Sequence, residues 1–574
     1  MKTLLTTLAV LTLMLFSSIA YGNPDIIRQI GSGSNYGVNI YTDIVYMNGY
    51  YYFAADDGNG SDLWRTDGTF EGTEKVCEVN TNNIMGAIYN IIVADNTLYF
   101  RGLTPTYGWE LWISNGNIGN GAMLKDINPG TGSSTPLGGF YGVKMGSYFY
   151  FAAAYTTVNY KVGSILYTDF PKAELYKTDG TSAGTVKVKD ICSTCKTGGA
   201  PAGLTVMNNK LYFFAYDPKK NWEFWQSDGT SAGTILVKDI NVGSGSSSGQ
   251  YPTLLTDANN LSHIYFKADD GTGFGLWKSN GTSNGTIKVK SGINFYPSDD
   301  GRLRIYNDKL YFVTLETNQN EIWVSDGTTN GTNRLYDIGG PGFNGDPRYI
   351  NIIDNKMYFS AIHPDYGREL WIYDFSNQSM TTIDINSGAN SSNAAYSYNT
   401  NARIVELGDY VYFIADGGSG YQLYRLNKYD YNNLEALTNF TENPPEFKHL
   451  AVLDGKIIFS AKVVGAGWQL WIYDPNEGSP RQTTFDFFGN ESNTKLSIKP
   501  NPAQDVLNIS ADFGEKQDVE LSIFDVIGNR VISLNRASTN SINEQLNISN
   551  LAQGVYFVRL KMSTDIIIKK IVKN

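Results

Sequence analysis

The sequence predicts an all-β fold: a multi-bladed β-propeller of about nine four-stranded units, followed by a small Ig-like β-sandwich. Three observations carry that reading. The first is a phrase the chain keeps rewriting. Residues 173–191 read AELYKTDGTSAGTVKVKDI, close copies start at Trp222 and Asn320, and looser ones start at Ser61, Trp109 and Gly275. Later units keep only its first half, at Glu369-Leu370-Trp371, Gln422-Leu423-Tyr424 and Gln469-Leu470-Trp471. Its central aromatics are Trp64, Trp112, Tyr176, Trp225, Trp277, Trp323, Trp371, Tyr424 and Trp471. The step of about 50 residues is the period of a solenoid, a propeller or an array.

The second observation is the local pattern. Leu-Trp or Leu-Tyr reads as a strand, Asp-Gly-Thr interrupts it, and an apolar run such as Thr234-Ile235-Leu236-Val237 resumes one. Asp or Asn before Gly is a strong hairpin signal, because the Asx side chain caps its own turn and Gly accepts positive φ. A second hairpin precedes each phrase, with turns at Asn48-Gly49, Asn208-Asn209, Asn355-Lys356 and Asp454-Gly455. Each unit is therefore a four-strand antiparallel meander. The third is burial. A sandwich strand alternates because one face is wet, whereas Tyr51-Tyr52-Phe53-Ala54-Ala55 and Leu211-Tyr212-Phe213-Phe214-Ala215 are apolar on both faces. That suits a blade packed between two others; eight blades plus an irregular unit is the alternative count.

Taken in order, residues 1–22 read as a signal peptide: Lys2, an apolar run from Leu4 to about Phe16, then Ala20 and Gly22. No later segment is long and apolar enough to span a bilayer as a helix. The mature chain opens with a stray repeat ending, Asp25-Ile26-Ile27-Arg28-Gln29-Ile30, placed to complete the last blade and remove an exposed edge. A weak run at Arg481-Gln482-Thr483-Thr484-Phe485 could share that closure. The propeller is assigned to residues 23–485, a linker to 486–494, and a shorter β pattern with its own turns to 495–574. A net charge of −11 and a pI near 5.0 argue against nucleic acid or an anionic membrane as partner.

Positions kept in most copies serve the scaffold, and places where one copy departs are candidates for function. Unit three departs most. An insertion (155–172) lengthens its link between strands two and three, and the link to unit four carries Cys192-Ser193-Thr194-Cys195. In a meander blade both emerge at the end opposite the Asp-Gly-Thr turns, and loops on a rigid scaffold are where binding concentrates. The ligand-contact candidates are Tyr155, Tyr160, Tyr167 and Phe170 of the insertion, Tyr107 and Trp109 of unit two, and Trp222 of unit four. Tyr-Gly before Glu-Leu-Trp recurs at Tyr366-Gly367, so Tyr107 has packing of its own loop as a competing role.

Catalytic and metal motifs are sparse. The three histidines, His263, His363 and His449, are scattered, and Cys-x-x-Cys has no second pair to complete a zinc site. A Cys192–Cys195 disulfide and a core thiol at Cys77 fit an exported chain. The paired acids Asp56-Asp57 and Asp269-Asp270 admit calcium, through oxygen ligation, or capping of their own turns. Their spacing lacks an EF-hand or nonapeptide pattern, which favours capping. No cofactor is assigned.

The tail resembles the type A C-terminal sorting domain of the type IX secretion system of Bacteroidetes. The resemblance rests on Lys499-Pro500-Asn501-Pro502, Leu521-Ser522-Ile523-Phe524-Asp525 with Gly528, Gly554-Val555-Tyr556-Phe557-Val558, and Lys569-Lys570-Ile571-Val572-Lys573. It implies engagement of that secretion machinery, passage across the outer membrane, and either release or attachment to surface lipopolysaccharide. The rest resembles the ELW-x-x-DGT-x-x-GT repeat proteins, a propeller-like family without one assigned activity. The Asp-Gly-Thr turn is also similar to the Asp-box of sialidase-type propellers, which is structural there. The function expected is that of a secreted or surface adhesion protein for a glycan or protein ligand. A secreted carbohydrate-active enzyme on the same scaffold is the alternative.

Overall fold

A computed structural model describes residues 24–574 apart from 32–36, 40, 80–86, 136–141, 163–164, 196–197, 257–260, 295–303, 315–319, 341, 396–403, 439–445, 464–466, 477–495, 501, 526–529 and 563–565. The proposed signal peptide, the 486–494 linker and the weak strand at 481–485 lie outside the described residues. The chain divides into Asp25–Ile472 and a C-terminal unit that takes in Tyr473–Asn574.

Asp25–Ile472 is a β-propeller, with nine blades among the described residues. Seven are separate four-stranded antiparallel meanders, spanning 88–125, 142–189, 202–238, 250–291, 304–334, 348–383 and 404–436. The first and last blades, 45–77 and 447–473, are stitched into one sheet. The stitch is the chain's own beginning. Asp25–Arg28 pairs antiparallel with Gly467–Tyr473 as the missing fourth strand, Ile26 opposite Trp471. Gly37–Val38 then bridges blade nine, with Gly37 parallel to Trp468, and blade one, with Val38 opposite Ala55. A Cβ on Gly37 would lie 1.9 Å from the Trp468 carbonyl oxygen, and its φ is +105°, so only glycine fits there.

Hairpin turns fall where the Asx and Gly residues stand, with φ of +51° at Asn48 and +85° at Gly49. The second strands are buried on both faces: Tyr52, Phe53, Ala54 and Ala55, like Leu211 to Ala215, are at most 3 % exposed. Their side chains build cores between neighbouring blades. One core joins Phe53 and Trp64 of blade one to Ile458 and Leu470 of blade nine through Ile27, Ile30 and Val38. The ring is thus closed by apolar packing as well as by strand pairing.

The Asp-Gly-Thr turns repeat one hydrogen-bond pattern. In blade four Asp228 Oδ1 accepts from the Thr230 N–H and hydroxyl, Gly233 N–H donates to Thr230 Oγ1, and Ser227 and Thr234 share a hydroxyl bond of 2.7 Å. The turn is scaffold, as its recurrence implies.

The sandwich expected for the tail is not confirmed. Its five strands form one continuous hydrogen-bonded sheet. The short strands expected near Val506 and Leu521 are one strand, Val506–Asp525, paired along most of its length with Arg530–Asn547. Ser497–Lys499 joins its first part and Gly554–Lys561 its last. The polar residues from Asp512 to Asp518 read as a break in sequence, but register shifts there absorb the irregularity without ending the strand. Leu507, Ile509, Leu521, Ile523, Val558, Leu560 and Ile571 form its core.

Candidate functional site

The end of the ring that carries the blade-to-blade links is organised by the glutamate of Glu-Leu-Trp. Glu110, Glu174, Glu223, Glu321 and Glu369 are at most 1 % exposed. Each carboxylate collects N–H groups from the link that follows. Glu174 accepts from Ile191 (2.8 Å), Cys192 (3.2 Å) and Gly199 (2.8 Å); Glu223 accepts from Ile240 (2.6 Å), Asn241 (3.3 Å) and Ser247 (3.0 Å). The link then reaches the next blade: Gly199 O accepts from Tyr216 N–H, and Ser247 O from Asp269 N–H, both at 2.8 Å. The glutamate is therefore the clasp between one blade and the next. Burial pushes these carboxyls up, to about 8 for Glu110 and about 7 for the other four, against the lowering effect of the donated hydrogen bonds. A shifted carboxyl often marks a catalytic site; here five identical copies mark a joint. Blade nine carries Gln469 at this position, and its amide both accepts from Ile30 N–H (2.8 Å) and donates to Ile30 O (3.2 Å). A neutral donor–acceptor suits a partner presenting both groups, where a carboxylate suits converging N–H donors.

A second device shapes the same links. Asn128, Asn241 and Asn386 each donate a side-chain N–H to a carbonyl five residues on, at Ser133, Ser246 and Ser391. Blade three has Cys192 there, bonded to Cys195 with their Cα atoms 5.3 Å apart. The disulfide replaces an asparagine clamp. Cys77 is a buried free thiol, pushed up to about 12 by burial.

The unit-three insertion is an arm of β-structure where sequence suggested a lengthened loop. Strands two and three run on as Tyr148–Val162 and Ile165–Thr178, with Val158 opposite Phe170 and Tyr160 opposite Tyr167. Extended residues such as Val158, Tyr160 and Ile165 favour continued pairing over a coil. The side chains of Tyr160, Tyr167 and Phe170 lie outside the described residues. Tyr155 sits at the base. Its hydroxyl donates to Asp190 (3.4 Å), and the Lys187 and Lys172 ammonium groups lie 3.9 and 5.7 Å from its ring centre. Lys172 also donates to Ser193 O at 2.6 Å, so the arm's base meets the disulfide loop.

The other aromatic candidates divide. Tyr107 is 39 % exposed at its loop tip. Trp109 is half-buried between Tyr89, centroids 5.3 Å apart, and the Arg101 guanidinium at 4.8 Å. Trp222 is half-buried, its indole N–H donating to Gly249 O at 3.4 Å. The paired acids cap their turns: Asp56 accepts from Gly58 and Gly60, Asp269 from Gly271 and Gly273, and Asp57 and Asp270 pair with Lys75 and Lys288. Among the described residues no group of three or more His, Cys, Asp or Glu is placed to hold a metal.

A cavity of about 340 Å³ opens among the first strands of blades seven, eight and nine, next to blade one. Its lining includes the charged Asp43, Glu406 and Lys448 together with His449. Burial holds His449 down to about 4, so the ring is neutral; Nε2 donates to Thr42 O (2.6 Å) and Nδ1 accepts from the Ser460 hydroxyl (2.8 Å). Nε2 thus ties blade nine to the segment before blade one, while the Nδ1 bond, within blade nine, fixes the ring. Sequence reading missed this latch, the glutamate clasp and Arg101. The signal for the clasp was present, since Glu recurs with the same fidelity as Asp-Gly-Thr.

In the C-terminal unit Phe524 is 5 % exposed, Tyr556 donates to Ala552 O (2.9 Å), and Lys569 donates to Leu496 O (2.6 Å). Pro500, Pro502 and Gly554 are exposed; Asn501, Gly528 and the side chains of Asp525 and Lys570 lie outside the described residues.

The molecule is thus a closed propeller carrying a separate C-terminal β unit. That unit is identifiable: residues 497–574 match the family described as "Secretion system C-terminal sorting domain". The chain therefore ends in a type IX sorting domain, which directs export through that machinery. No curated protein matches the chain. Among solved structures it is similar to a puromycin-hydrolysing peptidase of Mycobacterium tuberculosis, at 10 % identity and TM-score 0.32, over 65 % of this chain and 58 % of that one. It is also similar to an oligogalacturonate lyase of Vibrio parahaemolyticus, at 10 % identity and TM-score 0.31, over 79 % and 92 %. The β-propeller domain of the Trilobed protease of Pyrococcus furiosus gives 12 % identity and TM-score 0.29, over 62 % and 99 %. The chain spans 58 to 61 % of the length of the puromycin hydrolases. Likeness at this level says nothing of activity or ligand. Among the described residues no helix is long and apolar enough to cross a membrane.

Proposed function

We propose that this is an exported binding or adhesion protein whose link-bearing end takes a glycan or protein ligand, with the blade-three arm as principal contact. After export the protein is released or held at surface lipopolysaccharide. The observation that supports this reading is the single large departure from a nine-fold repeat: one blade extends two paired strands beyond its neighbours. Loops and extensions on a rigid frame are where recognition concentrates, and the ring supplies the frame. The perturbed carboxyls that could suggest catalysis belong to the clasps instead.

The test is a glycan and surface-protein array probed with the full chain and with a variant whose residues 157–171 are replaced by a short Gly-Ser turn. Tyr155 and Lys172 are kept because they pack the arm's base. Binding lost at an unchanged melting temperature supports the assignment; binding retained at full strength overturns it.

A further inference from the structure

Arg101 differs from the ion-paired cations Lys428, Lys75 and Arg368. Lys428 is held by Asp354 and Glu406, Lys75 by Asp57 and Asp62, and Arg368 by Asp346. Arg101 is 4 % exposed, and its contacts among the described residues are neutral. Nε donates to Thr135 Oγ1 (2.9 Å), one Nη donates to Thr135 O (3.1 Å), and the guanidinium lies 4.8 Å from the Trp109 ring centre. Among the described residues no carboxylate pairs with it. The stretches 80–86 and 136–141, outside the described residues, contain no Asp or Glu in sequence.

The position also breaks the repeat. The residue after the second-strand Phe is Ala54, Ala152, Phe214, Val313, Ser360, Ile414 and Ser460 in seven other blades, and Lys267 in blade five. Lys267 contacts Asn294 Oδ1 (3.3 Å) and lies 4.5 Å from the Phe274 ring centre, and burial lowers its pKa. Burial pushes Arg101 down only to about 10, and the guanidinium stays charged at neutral pH. A buried, permanent, uncompensated charge is costly, and an anion removes that cost.

We propose that blade two carries a carboxylate site in which Arg101 supplies the counter-charge and Trp109 the apolar wall. The guanidinium has five N–H donors, of which Thr135 takes two, and its planar fork matches a carboxylate. Among the described residues placed at this site Arg101 is the one cation, so the ligand carries a single anionic group on a neutral body. A uronic acid residue of a saccharide has that form: one carboxylate on a ring with hydroxyls and an apolar face. The proposal rests on the reading that this end of the ring takes ligand, and it adds the ligand's chemistry.

The experiment uses the full chain, with calorimetry and thermal melts in D-glucuronate, D-glucose and acetate. Glucuronate is expected to bind at least tenfold more tightly than glucose and to raise the melting temperature, with acetate giving a weaker shift in the same direction. In Arg101→Met the preference for glucuronate over glucose disappears while the unliganded melting temperature holds or rises. Arg101→Lys keeps a charge but loses the fork, and retains only part of the preference; it serves if the Met variant does not fold. Equal response to glucuronate and glucose in the unmodified protein overturns the site, as does a preference that survives Arg101→Met. Arm trimming separates the two readings. Array binding lost on trimming without any glucuronate preference keeps the functional reading and sinks this one. The opposite result sinks the arm and keeps the site.

Discussion

Replacing Glu223 with alanine tests the clasp directly. The Glu223 carboxylate takes three N–H groups, two of them well within hydrogen-bond distance: Ile240 at 2.6 Å and Ser247 at 3.0 Å. An orphaned buried donor costs about 1–3 kcal/mol, so the two close ones alone give roughly 2–6 kcal/mol, and we expect a loss of about 4 kcal/mol. That is a large share of the roughly 5–15 kcal/mol that folded domains hold in total. Urea unfolding followed by tryptophan fluorescence reads the loss, with the exposed Glu71→Ala as a control that stays within about 0.5 kcal/mol. Position is the sharper readout. Ser247 is bonded to Glu223 through its N–H and to Asp269 of the next blade through its O. Hydrogen exchange at Asp269 should therefore accelerate although the mutation is in blade four. A loss below about 1 kcal/mol, or unchanged protection at Asp269, refutes the clasp.

Three further outcomes follow from the structure. The five clasp carboxyls sit at about 7 to 8 in the folded chain, above the ordinary value of 4.5. The native state therefore keeps protons the unfolded state has lost, and stability falls as pH rises from about 5 to 8. His449, held down to about 4, acts in the opposite sense below about 6.5, but it is one group against five. Denaturation midpoints that rise steadily over that range would contradict the assignment. Opening the Cys192–Cys195 loop with reductant should cost about 2 kcal/mol on loop-entropy grounds. The double variant Cys192→Asn, Cys195→Ser should recover part of this by restoring the clamp of Asn128, Asn241 and Asn386; thermal melts with and without reductant decide it. Deleting 497–574 should leave the ring folded and stranded in the periplasm, and fractionation that finds the truncated chain outside the cell removes the sorting role.

The fold was largely legible because its signals are repeated: the Trp/Tyr spacing, the Asx-Gly turns and the two-sided apolar second strands each occur many times. The stray strand at Asp25 was readable for the same reason, as a phrase ending without a beginning. Legibility failed where a residue acts through a partner distant in sequence. Glu223 meets its link 17 to 24 residues on, and His449 meets Thr42 across 407 residues; neither spacing forms a local pattern. The arm was misjudged because Tyr, Thr and Lys serve equally in loops and in exposed hairpins, and only pairing distinguishes them. The tail strand was broken in the reading because polar residues mark turns more often than bulges. The candidate contacts Tyr107, Trp109 and Trp222 were found by exposure arguments, whereas Arg101 needed knowledge that no carboxylate among the described residues pairs with it.

The seam between blades nine and one also sets a clock. Ile30 and Gln469, bonded across it, stand 439 residues apart. A chain made at about 5–20 residues per second leaves its first strand waiting roughly 20–90 s for its partner. Throughout that interval Asp25–Arg28 is an unpaired edge, the kind that recruits other chains. Every blade that folds in the meantime extends an open arc whose two ends remain unsealed. A chain cut short before Gly467 therefore retains its blades without its ring, however many of them have formed.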